Sequence, residues 1–143
     1  MAGVETTPKF RQVVLDTTDA RGLAEFYRQL LGLEYRKGDE RPAEGEPDPL
    51  GQDWLVLRNP GGSQLAFQHV DELPEAAWPA ADRPQQLHLD LTVPDVEALD
   101  AAHEKALGLG ARMLLDRSAD PQEPLRVYAD PSGHPFCVFV SPN

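Results

Sequence analysis

Cysteine is almost missing from this 143-residue chain: Cys137 stands alone, so no disulfide can close within it, which agrees with a reducing compartment. Basic charge is scarce too, with 13 Lys and Arg scattered among 24 Asp and Glu, a formal net charge of −11 and a pI near 4.6. Phosphate contacts need clustered cations, so this balance argues against nucleic acid as a partner and disfavours an anionic membrane surface in the same way. No apolar run approaches the roughly 20 residues that span a bilayer. The opening MAGVETTPKF lacks the charged and apolar regions of a signal peptide. Together these absences predict a cytoplasmic protein.

What the chain does contain is a duplication. Residues 86–112 (QLHLDLTVPDVEALDAAHEKALGLGAR) align without a gap under residues 12–36 (QVVLDTTDARGLAEFYRQLLGLEYR) when His88 is set beneath Gln12. Asp95 then falls under Asp19, Leu99 under Leu23, Leu107 under Leu31, Gly108 under Gly32 and Arg112 under Arg36. Each copy reads as strand, turn and amphipathic helix. Alternation across Val13 and Leu15 gives way to Leu23, Phe26, Tyr27, Leu30 and Leu31 at helical spacing; Leu89, Leu91 and Val93 give way to Val96, Leu99, His103, Ala106 and Leu107. Asp19 and Asp95 are placed to cap the helices, and Gly32 and Gly108 to end them in the left-handed region.

Taken in order, residues 1–9 form a loose lead-in, 10–17 a strand, and 33–36 a second strand after the first helix. Residues 37–53 (KGDERPAEGEPDPLGQD) are dense in Pro, Gly and acid and predict a long exposed loop, either disordered or a lid. Residues 53–58 and 63–70 read as antiparallel strands joined by Asn59-Pro60-Gly61-Gly62. Residues 111–116, 125–129 and 135–140 repeat this, the last pair joined by Asp130-Pro131-Ser132-Gly133. Residues 71–85 form a proline-rich linker whose Trp78 either docks on a helix or partner subunit or stacks on a ligand. The expected organisation is one domain over 1–143, made of module 10–70, linker 71–85 and module 86–141. The fold class is α+β: two βαβββ modules forming a cupped eight-stranded mixed sheet with the helices on the outer face.

The paired βαβββ modules, the segment FYRQLLGLEY and the closing turn DPSGHPFCVF make the chain resemble the vicinal oxygen chelate superfamily, which includes glyoxalase I, bleomycin-resistance proteins, fosfomycin-modifying enzymes and extradiol dioxygenases. The resemblance covers residues 10–140, and the RPQQLHLDLTV and DPSGHPFCV segments are similar to its glyoxalase-like group. It implies a site at the base of the cup, and metal-dependent members take ligands there from the first and last strands of each module. Carried over by position, the first strands offer Gln12 and His88, and the last strands Ala66 and Cys137, each four residues after its turn glycine. Ala66 coordinates nothing and Gln12 offers only an amide oxygen, a poor supply for a divalent ion. Gln68, two residues along from Ala66, adds no charge; Asp16 and Asp90 share the faces of Gln12 and His88 and could compensate.

His88 is the best candidate for a ligand or general base, with a buried histidine bonded to Asp90 or Gln12 as the plain alternative. Phe136 and Val138 should face the helix, leaving Cys137 and Phe139 to the cup. Cys137 is read as a small hydrophobe, since a reactive thiol needs a neighbouring cation or histidine. His103 is read as packed against the core, His134 as exposed at a strand start and His69 as facing the helix. The facing of Trp54, Arg58, Arg126 and Tyr128 depends on strand register.

The sequence therefore predicts a glyoxalase-like or bleomycin-resistance-like protein that holds a small organic molecule among Gln12, Ala66, Gln68, His88, Asp90, Cys137 and Phe139, with no firmly bound metal and no other cofactor. The alternative is a metal-dependent lyase, isomerase or dioxygenase holding a divalent ion on His88, Gln12 and Gln68. The resemblance also implies a homodimer.

Overall fold

In this computed structural model, which describes residues 7–74 and 87–141, each module repeats one order of elements. Trp78 lies outside the described residues. The first module runs β1 (Gln12–Thr17), α1 (Ala20–Leu31), β2 (Glu34–Tyr35), β3 (Trp54–Arg58) and β4 (Gln64–His69). The second runs β5 (Leu89–Val93), α2 (Val96–Gly108), β6 (Arg112–Arg117), β7 (Leu125–Ala129) and β8 (Pro135–Val140). The Asp19 carboxylate accepts from the Gly22 amide and the Asp95 carboxylate from the Ala98 amide, so both predicted caps are made.

The two helices end differently. Gly32 takes φ +68 and closes α1 as expected. Gly108 does not do this for α2: it is the last helical residue, and the positive φ, +111, falls on Gly110. The reason lies in the backbone. The amides of Leu109 and Ala111 bond back to the carbonyls of Lys105 and Ala106, drawing the chain past Gly108 before it turns away.

The eight expected strands divide between two four-stranded mixed sheets, ordered β1-β4-β3-β2 and β5-β8-β7-β6. β1 lies parallel to β4 and β5 parallel to β8; the other pairs are antiparallel, with a bulge in β6 between Met113 and Leu115. On the helix side, alternation buries Leu15, Leu55, Leu57, Leu65 and Phe67 in one sheet and Tyr128, Phe136 and Val138 in the other, within a single apolar core that α1 and α2 share. Aromatic rings run through it from module to module: Phe67 stacks on Tyr27, Tyr27 and Phe26 meet Phe136, and Phe136 stacks on Tyr128. Burial of such side chains stabilises by roughly 1.5–3 kcal/mol each.

Polar contacts tie the β7–β8 turn to the first module. The Tyr27 hydroxyl donates to Asp130, Thr17 and Ser132 share a 2.7 Å hydrogen bond, and the His134 ring donates to the Asp16 carbonyl at 2.6 Å. His134 was expected to be exposed at a strand start; it is instead partly covered and bridges the modules, because the turn folds its ring onto the end of β1.

The 37–53 loop is also more firmly held than its composition predicts. Asp39 is buried and accepts from the Val56 amide, its carbonyl accepts from Arg21, and Arg21 makes a bidentate pair with Asp48 while lying over the Tyr35 ring. Within a stretch that composition makes an exposed loop, the Asp48 carboxylate is thus fixed to a helix arginine, and Asp39 is held by its carbonyl to the same arginine and by its carboxylate to β3.

Candidate functional site

The two modules touch where the His134 ring, just before β8, bonds the Asp16 carbonyl on β1. Register places three cross-strand rows on the first sheet. Gln12 lies beside Gln64; Val14 beside Ala66 and Val56; Asp16 beside Gln68 and Trp54. Two polar rows thus flank an apolar one. Ala66 and Val56 are almost inaccessible there, whereas Val14, Asp16 and Gln68 are exposed.

The second sheet presents a different surface. Asp90, Cys137, Val127 and Leu115 form one row and Thr92, Phe139, Leu125 and Arg117 another, with Pro135 and Ala129 beside them. Apolar side chains dominate; apart from Arg117 on β6, the polar groups gather on β5 and just before it. His88 precedes β5, and its Nε2 lies 3.2 Å from Asp90 Oδ1. His88, Asp90 and Cys137 bring one donor atom each to within 4.8 Å of one another.

Cys137 is partly covered, and burial first, then the neighbouring Asp90 carboxylate, pushes its thiol above the ordinary 9.0. Near neutral pH it is therefore a neutral thiol, a small apolar group and not a nucleophile.

A four-ligand metal site drawing on both modules does not fit these residues. The counterparts of Asp90 and Cys137 in the first module are Val14 and Ala66, paired in the same register and without a donor atom, and Gln12 has its amide oxygen engaged by Gln64. Among the described residues, what remains is the three-donor group on the second module. It mixes an imidazole, a carboxylate and a thiol that must lose its proton to bind.

Register also settles the facing of the four residues that sequence left open. Trp54 and Arg58 share the face of Gln68 and Ala66; Arg126 and Tyr128 face α2. Arg126 is buried, bonded to Asp100 and within 3.3 Å of Asp116, so it is a structural cation. His103 is packed as expected and bonds Tyr128 at 2.9 Å, while His69 lies opposite the buried Thr17, 3.7 Å from Asp71. Sequence reasoning missed Gln64 and Val14. Counting two residues back from Ala66, and two on from Gln12, along the alternation would have found them.

Paired βαβββ modules, each a four-stranded mixed sheet with one helix, define the class. The chain belongs to the glyoxalase-like domain family, whose model matches residues 12–139, and with it to the vicinal oxygen chelate superfamily. In structure it is similar to a glyoxalase/bleomycin resistance protein/dioxygenase family enzyme from Burkholderia phytofirmans PsJN, at 18% identity over 93% of this chain and 98% of that one, with a TM-score of 0.68. It is similar also to a glyoxalase/dioxygenase from Nostoc punctiforme, at 20% identity over 100% of both chains and a TM-score of 0.63. A lactoylglutathione lyase from Agrobacterium tumefaciens is similar at 16% identity over 96% of this chain and 97% of that one, with a TM-score of 0.59. At such identities the likeness is one of fold. No curated protein matches the chain. Among the described residues no helix is long and apolar enough to cross a membrane.

Proposed function

We propose that this protein binds a small organic molecule between the non-helical faces of its two modules, without a firmly bound metal. One observation carries the reading: where the first module would have to supply metal donors, the exposed Val14 and the covered Ala66 beside it carry none, and Val14 presents an apolar side chain instead. The proposed site takes in Gln12 and Gln68 on the first sheet and His88, Asp90, Cys137 and Phe139 on the second. As part of the same proposal the protein works as a cytoplasmic homodimer and engages neither nucleic acid nor membrane, in keeping with its net charge of −11.

A thermal-shift screen of small organic molecules tests this. A ligand at a hundredfold its Kd stabilises by about 2.7 kcal/mol, enough to read as a raised melting point. Compounds that stabilise the parent and lose their effect in Val14→Trp support the proposal. An empty screen, or stabilisation that Val14→Trp leaves intact, overturns it.

A second reading is favoured by the closeness of His88, Asp90 and Cys137. In it the protein is a metal-dependent lyase, isomerase or dioxygenase, and the ion is held by the second module alone.

A further inference from the structure

The aromatic rings of the described residues divide by the face they occupy. On the helix side each has a partner: Phe26, Tyr27, Phe67, Tyr128 and Phe136 meet one another, and the Arg21 guanidinium lies over Tyr35. Trp54 and Phe139 stand on the non-helical faces, and Phe10 is exposed ahead of β1. Trp54 is partly exposed; among the described residues its ring meets no other ring and no cation, and its indole N–H has no acceptor. An indole in the core would normally find both.

The neighbours of Trp54 on that face are polar and equally open. Gln68 stands directly opposite it on β4, and Asp16 opposite Gln68 on β1, so the three side chains share one face at successive strand spacings of about 4.8 Å. Gln68 and Asp16 are exposed, and among the described residues neither side chain has a hydrogen-bond partner. Gln12 and Gln64, farther along the same two strands, are bonded to each other instead. An open ring beside a free carboxamide suits one kind of guest: a flat ring that lies on the indole and carries a hydrogen-bonding group at its edge, within reach of Gln68. A saturated guest could use the apolar Val14 but would gain nothing from the π face of Trp54.

We infer that Trp54 is a ligand-stacking residue and that the ligand carries a planar aromatic ring whose polar edge turns toward Gln68. This rests on the proposal that the non-helical faces form a small-molecule site, and it names the class of molecule that site takes.

Two probes that differ only in flatness test it: 2-naphthamide and decahydronaphthalene-2-carboxamide, titrated by calorimetry against the full chain. The flat probe should bind about threefold or more tightly than the saturated one. It should also move the Trp54 indole N–H signal in nitrogen-15 NMR spectra, the signal being assigned by its loss in Trp54→Leu. That variant should erase the preference, Trp54→Phe should keep part of it, and Gln68→Leu should weaken both probes alike. If Trp54→Leu does not fold, Trp54→Phe assigns the signal and the titration of the parent decides. Equal affinities, a preference that survives Trp54→Leu, an indole signal that stays in place, probes indifferent to Gln68→Leu, or no binding by either probe overturns the inference. The site reading fails by a different result, compounds from the wider screen whose stabilisation Val14→Trp leaves intact.

Discussion

The Tyr27 hydroxyl donates a 2.6 Å hydrogen bond to Asp130 Oδ2, joining α1 of the first module to the β7–β8 turn of the second inside the shared core. Asp130 Oδ1 meanwhile accepts from the amides of Ser132 and His134. One carboxylate thus shapes the turn and ties the two modules together.

Removing the hydroxyl should expose this role. Tyr27→Phe leaves a buried carboxylate oxygen without its partner, and a loss of about 1–3 kcal/mol is expected from urea denaturation. Tyr35→Phe, whose hydroxyl bonds the partly exposed Glu25, should cost less.

Burial holds Asp130 above its ordinary 3.8, against the opposing pull of Tyr27 and of the charge and amide of His134. Because the folded-state value is raised, Asp130 favours the fold while protonated: its contribution is complete below about 3.8 and declines as pH rises through the raised value. Asp130→Asn cannot ionise. Urea midpoints measured across that window should fall less steeply with rising pH in the variant than in the parent.

Asp48 behaves in the opposite sense. The Arg21 hydrogen bonds hold its carboxyl below the ordinary 3.8, so its contribution is present above that value and is lost as pH falls through the depressed one. Asp48→Asn should lose at most about 1 kcal/mol at neutral pH, the pair being partly exposed, and should converge with the parent in strong acid. Limited proteolysis within residues 37–53 should quicken in the same variant.

The glycines at the end of α2 give a clean contrast. Gly108 is helical with open space around it, so Gly108→Ala should stabilise by roughly 0.5–1 kcal/mol, whereas Gly110→Ala, forced to a φ of +111, should destabilise by about 1 kcal/mol or more. Chemical denaturation of the two variants reads the difference directly.

Alkylation reports on the site itself. Asp90 helps to raise the Cys137 thiol, so iodoacetamide should modify the parent slowly near neutral pH and Asp90→Asn faster.

These features were unequally legible in the chain. Period-2 and period-3.6 patterns, with Asp19 and Asp95 at the starts of the helices, carried the βαβββ repeat, and alternation within PFCVFV correctly turned Phe136 and Val138 inward and Cys137 outward. Facing on β3 and β7 was not legible, because it depends on cross-strand register, and long-range pairing sets that. Gly108 misled because the repeat aligns it under Gly32, while the final hydrogen bonds that decide where a helix ends are made after the aligned stretch. The tethering of the 37–53 loop was hidden for a related reason: Asp39 and Asp48 read as solvated charge until the fold brings Arg21 beside them. Around the site, sequence named the residues on each strand but not that Gln12 spends its oxygen on Gln64.

The most direct test of the account is the metal content of the protein purified without chelator and dialysed, measured by elemental analysis. Well under one equivalent of any transition metal per chain is the predicted result, unchanged in His88→Ala. One tightly held ion per chain, lost in His88→Ala, would contradict it.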